Sequence, residues 1–394
     1  MEDLGLEVSQ SVHALAIIPA RGGSKGLPRK NVRPFCGQPL IAWTIEAALQ
    51  AEMVSRVVVS TDDAEIGETS RRYGAEVVWR PEELSDDASP SEAALLHALQ
   101  QLDAREGTLA FLQCTSPLML PADIDNTVAA LKHADSAFTT TPWHHFLWAK
   151  TPEGAVPIGH SKTWRPMRQQ REAQYLEAGA VYAMDIEGFI RAQHRFFGRI
   201  AMHIIAPERS IEIDSETDFL LAEVLMRQRL EATRASRIPQ QVSALVTDFD
   251  GVLTDNRVKV VEAGREAILC HRGDGWAIQR LQAAGIRLLV LTGESNPCVR
   301  QRCEKLAVEC LVAKGEKLPL LQQWLQRHRL SASSTLYVGN DVPDVPCMLH
   351  VACGIAPADA YPQAKSAAQI VLETSGGHGC LRELAALILP KLEA

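Results

Sequence analysis

The sequence lacks most of what would mark a nucleic-acid binder, a secreted scaffold or a membrane protein. Basic residues are in deficit: 40 Lys and Arg stand against 48 Asp and Glu, a formal net charge of −8. That balance argues against bulk binding to nucleic acid, so any phosphate on a ligand has to be met by local charge. The nine cysteines are odd in number and contain no CxxC pair, so neither a disulfide framework nor a zinc site is indicated, and a reducing cytoplasm is the expected location. No apolar run approaches the roughly 18 residues of a membrane span, and Met1–His13 has acidic residues where a secretion signal would be basic. What remains is ordinary globular composition, 46% hydrophobic and 22% charged. The length suits two domains, or three, of roughly 100–200 residues.

Two segments open alike, with a β-rich apolar run followed at once by a loop dense in glycine and charge. Leu15-Ala16-Ile17-Ile18 precedes Pro19–Lys30, and Ala244-Leu245-Val246 precedes Asp248–Asp255. In α/β proteins ligands sit at the carboxyl ends of parallel strands, so each segment reads as the first strand and active loop of its own domain. Further strands are expected at Arg56–Ser60, Ala75–Val78, Leu109–Leu112, Arg287–Leu291 and Thr335–Val338. Helical spacing marks Ile41–Gln50, Ala64–Tyr73, Ser91–Leu102, Trp276–Ala284 and Leu318–Arg329. The expected fold is α/β throughout, with two doubly wound domains over residues 1–235 and 243–394. Helix-patterned Phe219–Ala235 runs up to a proline-broken linker at 236–242.

The first loop, Pro19–Asn31, packs Gly22, Gly23 and Gly26 with Arg21, Arg29, Lys25 and Lys30 directly after a strand. Glycines let backbone N–H groups approach phosphate oxygens while Arg and Lys neutralise a polyanion, so the loop reads as a triphosphate cradle. The order G-x-x-x-x-G-K-[ST] is absent, which excludes a Walker A loop. A solvated basic turn is the plainer alternative.

Taken together, this loop, Arg80-Pro81-Glu82-Glu83-Leu84 with Ser85-Asp86-Asp87, Leu112-Gln113-Cys114-Thr115-Ser116-Pro117-Leu118 and Ser210–Asp214 resemble, in order, the signatures of the nonulosonate cytidylyltransferases, the CMP-sialic acid synthetases and their relatives. The resemblance covers most of residues 14–228 and implies a nucleotidyltransferase Rossmann-like domain. It implies that Arg21, Gly22, Gly23, Ser24, Lys25 and Lys30 hold the CTP phosphates, with Arg21 and Lys30 catalytic, and that Asn31, Arg80 and Ser91 face cytosine and ribose. Gln113, Ser116, Arg168, Gln170 and Tyr182 would meet the sugar acid. Phe196 and Phe197 match an aromatic pair that reaches a neighbour's sugar site across a dimer interface, although ordinary core aromatics would look the same. Trp148, Leu176 and Ala178 depart from the family's usual charged and amide residues, which leaves the identity of the sugar acid open.

Ser210-Ile211-Glu212-Ile213-Asp214 alternates carboxylates, and on a strand the i, i+2 spacing would point Glu212 and Asp214 to one side. Two hard oxygen ligands suit Mg²⁺ beside a phosphate, although an acidic strand edge is the plainer reading. The family's usual segment is S-I-D-I-D, so Glu212 is a longer substitute.

The second loop, Asp248-Phe249-Asp250-Gly251-Val252-Leu253-Thr254-Asp255, has two carboxylates one residue apart at a strand end. One can attack phosphorus while the other protonates the leaving oxygen. With Thr292, Lys317, Asn340, Asp341 and Asp344 downstream, residues 243–389 resemble the haloacid dehalogenase superfamily, closest to the small phosphatases of keto-sugar-acid 8- and 9-phosphates. The resemblance implies a Rossmannoid domain, Asp248, Asp250, Thr292 and Lys317 as catalytic, and Mg²⁺ held among Asp248, Asp250, Asn340, Asp341 and Asp344. Asn340 stands where relatives often carry a carboxylate. Arg272-Gly273-Asp274-Gly275 resembles an R-D-G loop, and Gly376–Glu383 resembles a tail that caps a neighbour's site in tetramers.

The resemblances imply a bifunctional enzyme whose partners are CTP and a nonulosonic acid or its 9-phosphate, acting as a homodimer or homotetramer. The competing expectation is a transferase for another keto sugar acid whose second domain serves only assembly.

Overall fold

A strand with apolar side chains on both faces has to be covered on both faces, which is the condition met at the centre of a parallel sheet. In the computed structural model, which describes residues 13–23, 26–86, 89–260 and 266–393, strand β1 (Ala14–Pro19) takes that place. Its Ala14, Ala16 and Ile18 pack with Ile41, Ile45, Ile124 and Val128 on one face, and its Leu15 and Ile17 with Leu95, Leu99 and Phe189 on the other. Burying each such large aliphatic side chain contributes roughly 1.5–3 kcal/mol.

The remaining strands of this sheet are β2 (Val54–Thr61), β3 (Glu76–Trp79), β4 (Thr108–Leu112), β5 (Ser136–Trp143), β6 (Gln174–Asp185) and β7 (Ile200–Ile204). Their order is β7-β5-β6-β4-β1-β2-β3. Ala16 pairs with Val57 on one side and Ala110 on the other, both in parallel register, while β6 runs antiparallel to both its neighbours. The chain leaves β1 toward opposite edges in its successive crossovers, so a crevice opens between the carboxyl ends of β1 and β4.

The second sheet repeats the plan with six strands, every pairing parallel. They are β8 (Ala244–Thr247), β9 (Arg287–Thr292), β10 (Glu309–Val312), β11 (Thr335–Val338), β12 (Cys353–Ala356) and β13 (Ile370–Val371), in the order β10-β9-β8-β11-β12-β13. Leu245 faces Ile278, Leu281, Leu384 and Ile388, and Val246 faces Leu321, Trp324 and Met348. Here the crevice lies between β8 and β11. Two doubly wound α/β units are therefore present, as the sequence led one to expect.

The units divide between Arg227 and Gln228, inside helix Glu216–Ser236, ahead of the linker expected at 236–242; residues 237–243 then run without regular structure. Two expectations fail. Arg272–Gly275 is not a loop but the first turn of helix Arg272–Ala283, capped by the His271 ring accepting from the Gly273 N–H at 3.1 Å. Residues 210–215 are not a strand. Their I-E-I-D alternation imitates one, but their backbone makes a single bond to the neighbouring turn, from Ile213 N–H to the Thr115 carbonyl at 2.8 Å.

A buried ion pair fixes the approach to that segment. Asp123, 3% exposed in the first turn of helix Pro121–Ala129, accepts from Arg209 Nε at 3.0 Å and Nη2 at 3.1 Å and faces His203 Nε2 at 3.4 Å. Burial alone would raise its carboxyl, but the bonds from His203, the Leu120 N–H and Arg209 more than offset this and hold it below the ordinary value. Such a group stabilises fully above its unfolded pKa of about 4, and the contribution is lost as pH falls through the lower folded value. Asp123→Asn should therefore cost roughly 3–5 kcal/mol in urea unfolding of the first unit at neutral pH and far less near pH 2. An unchanged midpoint at neutral pH would contradict this.

Candidate active sites

Apolar strand β1 ends at Pro19, and polar chemistry begins there. A cavity of about 300 Å³ opens at this point, walled by Arg21, Lys30 and Asn31 from the first loop and by Arg80 and Ser91. Gln113, Cys114 and Thr115 form the turn after β4, and Glu212 and Asp214 close the far side. The sequence-derived set of Arg21, Lys30, Asn31, Arg80, Ser91, Gln113, Glu212 and Asp214 thus shares one cavity. Ser24, Lys25 and Asp87 lie outside the described residues.

Hydrogen bonds brace this cavity from below. Lys30, 9% exposed, donates to the Ile213 carbonyl and lies 3.4 Å from Asp214 Oδ1. Asn31 Nδ2 donates to the Arg21 carbonyl at 3.0 Å, and its Oδ1 accepts from the Cys114 thiol at 3.0 Å. Arg21 donates to the Asp86 carbonyl. A Cβ on Gly26 would lie 2.4 Å from the Asp214 carbonyl oxygen, so glycine is what lets the two segments touch. Burial and the nearby Asp214 raise the Glu212 carboxyl above its ordinary value, a repulsion that a cation between them would relieve. Arg80, buried beside Asp62, has an Nε without a hydrogen-bond partner and is lowered by burial.

Other expected site residues fall elsewhere. The Gly22 N–H donates to Asp62 Oδ1 at 3.1 Å, and Gly23 has open space beside it. The Ser116 hydroxyl is wholly buried without a partner. Tyr182 points to the opposite face of β6 from Val181 and Ala183, stacks on Phe111 at 5.2 Å and donates to Glu177. Phe196 and Phe197 pack against the same core, Phe196 edge-on to Phe138 at 5.0 Å. Arg168 lines a separate cavity of about 290 Å³ with His144, Arg171 and Tyr175, and Gln170 Oε1 accepts from the Met167 N–H.

In the second unit a cavity of about 280 Å³ gathers Asp248, Asp250, Thr292, Lys317, Asn340, Asp341 and Asp344 from the carboxyl ends of β8, β9 and β11 and the start of helix Lys317–His328. The 5%-exposed Lys317 ammonium sits 2.9 Å from Asp248 Oδ1 and 2.8 Å from Asp344 Oδ1. Asp344 also accepts from Tyr337 OH at 2.8 Å and from the Asn340 and Asp341 N–H groups at 3.0 and 3.3 Å. Both its oxygens are thus committed to holding the lysine and the loop. Asp250 Oδ1 accepts from the Thr254 hydroxyl at 3.0 Å.

Burial, followed by the nearby Asp344 charge, pushes the Asp248 carboxyl up to about 7 despite Lys317. Lys317 is raised above its ordinary value: burial would lower it, but Asp248 and Asp344 more than offset that. Among the described residues no three His, Cys, Asp or Glu side chains converge as ligands for one ion. Asp344 is committed through both oxygens, whereas the bonds to Asp248, Asp250 and Asp341 all fall on Oδ1, the last from the Val342 N–H at 2.7 Å; their Oδ2 atoms and the buried, unpartnered Asn340 Oδ1 make an oxygen set that fits a hard cation completing its shell with water and phosphate.

Several residues of these sites escaped the sequence reading. Asp62 and Asp63 follow β2, whose carboxyl end is as much a ligand position as that of β1. Asp63 and Glu65 bind Arg29. Tyr337 lies within β11 and carried no signal of its own.

The chain matches a family model described as Cytidylyltransferase over residues 15–185. N-acylneuraminate cytidylyltransferase A of Danio rerio is 28% identical over 394 residues, 96% of this chain and 89% of that one. CMP-N,N'-diacetyllegionaminic acid synthase of Legionella pneumophila is 31% identical over 241 residues, covering 55% of this chain and 98% of that one. The cobalt-bound deoxy-D-mannose-octulosonate 8-phosphate phosphatase from Haemophilus influenzae is 32% identical, with 39% of this chain and 91% of that chain covered at a TM-score of 0.38.

Lys317→Met would leave Asp248 and Asp344 buried without their cation, and such losses cost roughly 3–5 kcal/mol. The second unit's denaturant midpoint should fall accordingly above pH 7, and by less in mild acid, where Asp248 takes up a proton and one of the two uncompensated charges disappears. A pH-independent loss would contradict this assignment.

Proposed function

Because the chain belongs to the cytidylyltransferase family, we propose that its first unit couples CTP to a nonulosonic acid and that its second unit removes phosphate from the phosphorylated precursor of that acid. The observation that carries the first half is the single cavity shared by Arg21, Lys30, Asn31, Arg80, Gln113 and the Glu212–Asp214 pair. The hydroxyl on the anomeric carbon attacks the α-phosphorus and pyrophosphate leaves. Arg21 and Lys30, with Ser24 and Lys25 beside them in sequence, neutralise the triphosphate, and Asn31, Arg80 and Ser91 orient the nucleoside. Gln113 meets the sugar acid. Glu212 and Asp214 would hold Mg²⁺, which when bound supplies charge neutralisation. The relatives named for N-acylneuraminate and N,N'-diacetyllegionaminic acid support this substrate class. Pyrophosphate release from CTP with a panel of sugar acids tests it.

In the second unit Asp248 is the nucleophile, forming an aspartyl-phosphate, and Asp250 protonates the leaving oxygen. Lys317 and Thr292 steady the phosphoryl group. Asp248, Asn340 and Asp341 would hold Mg²⁺, which supplies the charge compensation that lets an anion attack an anion. The substrate in this reading is the 9-phosphate. Asn340 also favours a second reading, in which this unit serves assembly alone, because it leaves the cavity one carboxylate short. Phosphate release from sugar-acid phosphates decides between the two.

The cysteines form no disulfide, no described helix is long and apolar enough to cross a membrane, and the protein's place in this reading is the cytoplasm. Ile200, Met202 and Ile204 alternate outward, each about half exposed, on the edge strand β7, an apolar row that supports a homodimer or homotetramer.

Two tests follow from this reading. Arg21→Ala should cut pyrophosphate release by roughly 100-fold or more with phosphate release retained, and Asp248→Asn should do the reverse, both assayed on single preparations. Joint loss in either folded variant would show that the two sites are not separate. Light scattering should give at least twice the 43.2 kDa chain mass, and a fully active monomer would contradict the assembly.

A further inference from the structure

The glycine-rich tail, expected to reach a neighbour, packs against the nucleophile loop of its own unit. The Val252 carbonyl accepts from the Gly377 N–H at 2.8 Å and from the Cys380 thiol at 3.3 Å. A Cβ on Gly376 would lie 2.0 Å from the Gly251 carbonyl oxygen. One on Gly377, whose φ is +69°, would lie 2.4 Å from the Asp255 nitrogen and 2.5 Å from the Thr254 carbonyl carbon. The tail thus clamps the backbone on both sides of Thr254.

Thr254 itself is wholly buried. Its hydroxyl accepts from the Gly251 and Asn256 N–H groups, each at 3.3 Å, and donates its one proton to Asp250 Oδ1 at 3.0 Å. One donor and two acceptor positions exhaust a hydroxyl, so its orientation admits no alternative partner.

Building on the phosphatase reading above, we propose that Thr254, clamped by the Gly376–Cys380 tail, is a positioning residue for proton donation to the leaving group. It occupies Oδ1 of Asp250 and so turns Oδ2 toward the scissile oxygen. The bond from Asp248 to phosphorus forms, the bond from phosphorus to the sugar oxygen breaks, and that oxygen takes the proton from Asp250 Oδ2. Water then attacks the aspartyl-phosphate, freeing phosphate and returning a proton to Asp250.

The test compares two substrates on one preparation of full-length protein, so that the fraction folded cancels from the ratio. From p-nitrophenyl phosphate the p-nitrophenolate leaves without needing a proton, whereas from a sugar-acid phosphate the sugar acid would leave as an alkoxide that needs one. General acid catalysis is worth about 10²–10⁴-fold, so in Thr254→Val the ratio of sugar-phosphate to aryl-phosphate turnover should drop by roughly 10- to 100-fold. Thr254→Ser, which keeps the hydroxyl, should restore it. Should the valine variant not accumulate, Thr254→Ala gives the same ratio. An unchanged ratio in the variant lacking the hydroxyl, with or without an overall loss of rate, would reduce Thr254 to a structural part and overturn the proposal. A parent protein that hydrolyses neither substrate would overturn the phosphatase reading and this proposal with it.

Discussion

A central parallel strand is apolar on both faces, so polar chemistry can begin only where the strand ends. Both units are organised by that constraint. β1 and β8 have no face to spare for a functional side chain, and each delivers its candidate site residues in the loop beyond Pro19 or Thr247. The reversal of strand order beside each of them then opens the crevice in which those loops meet residues from distant parts of the chain. Lys30 meets Asp214 in one crevice and Asp248 meets Lys317 in the other.

The two crevices are furnished differently. In the first, Arg21, Lys30 and Arg80 line one cavity with the Glu212–Asp214 pair, and Lys30 reaches Asp214 at 3.4 Å. In the second, a buried ammonium is already locked between two carboxylates, and Tyr337 and two backbone N–H groups keep Asp344 from moving. In the reading proposed above, the first would receive a large polyanion with its own counter-charge and the second a single phosphoryl group.

How much of this the sequence revealed depended on distance along the chain. The strand-then-loop junctions at Ile18–Pro19 and Val246–Asp248 were legible because both signals, β-branched residues and glycine with charge, lie within a dozen residues. Helix ends were likewise readable to within a few positions. Tyr182 was not, because an alternating pattern shows that two faces exist without showing which one looks into the cavity. The Ile211–Asp214 segment carried the period of a strand without a partner to pair with. The tail was the least legible: a run of glycines looks alike whether it must bend freely or must let two backbones touch, and the backbone it touches is more than a hundred residues away.

That long separation bears on how the protein comes into being. Everything that walls the first cavity has been synthesised once Asp214 is made, so the transferase half can close around its site while the rest of the chain is still being translated. The second half cannot: the bond between Cys380 and the Val252 carbonyl spans 128 positions, and the Asp248–Asp255 loop takes its final shape only after residues 376–380 exist. Until then its acid-lined loop is held by nothing from the tail, and the order of folding runs from the first unit to the second because the order of synthesis does.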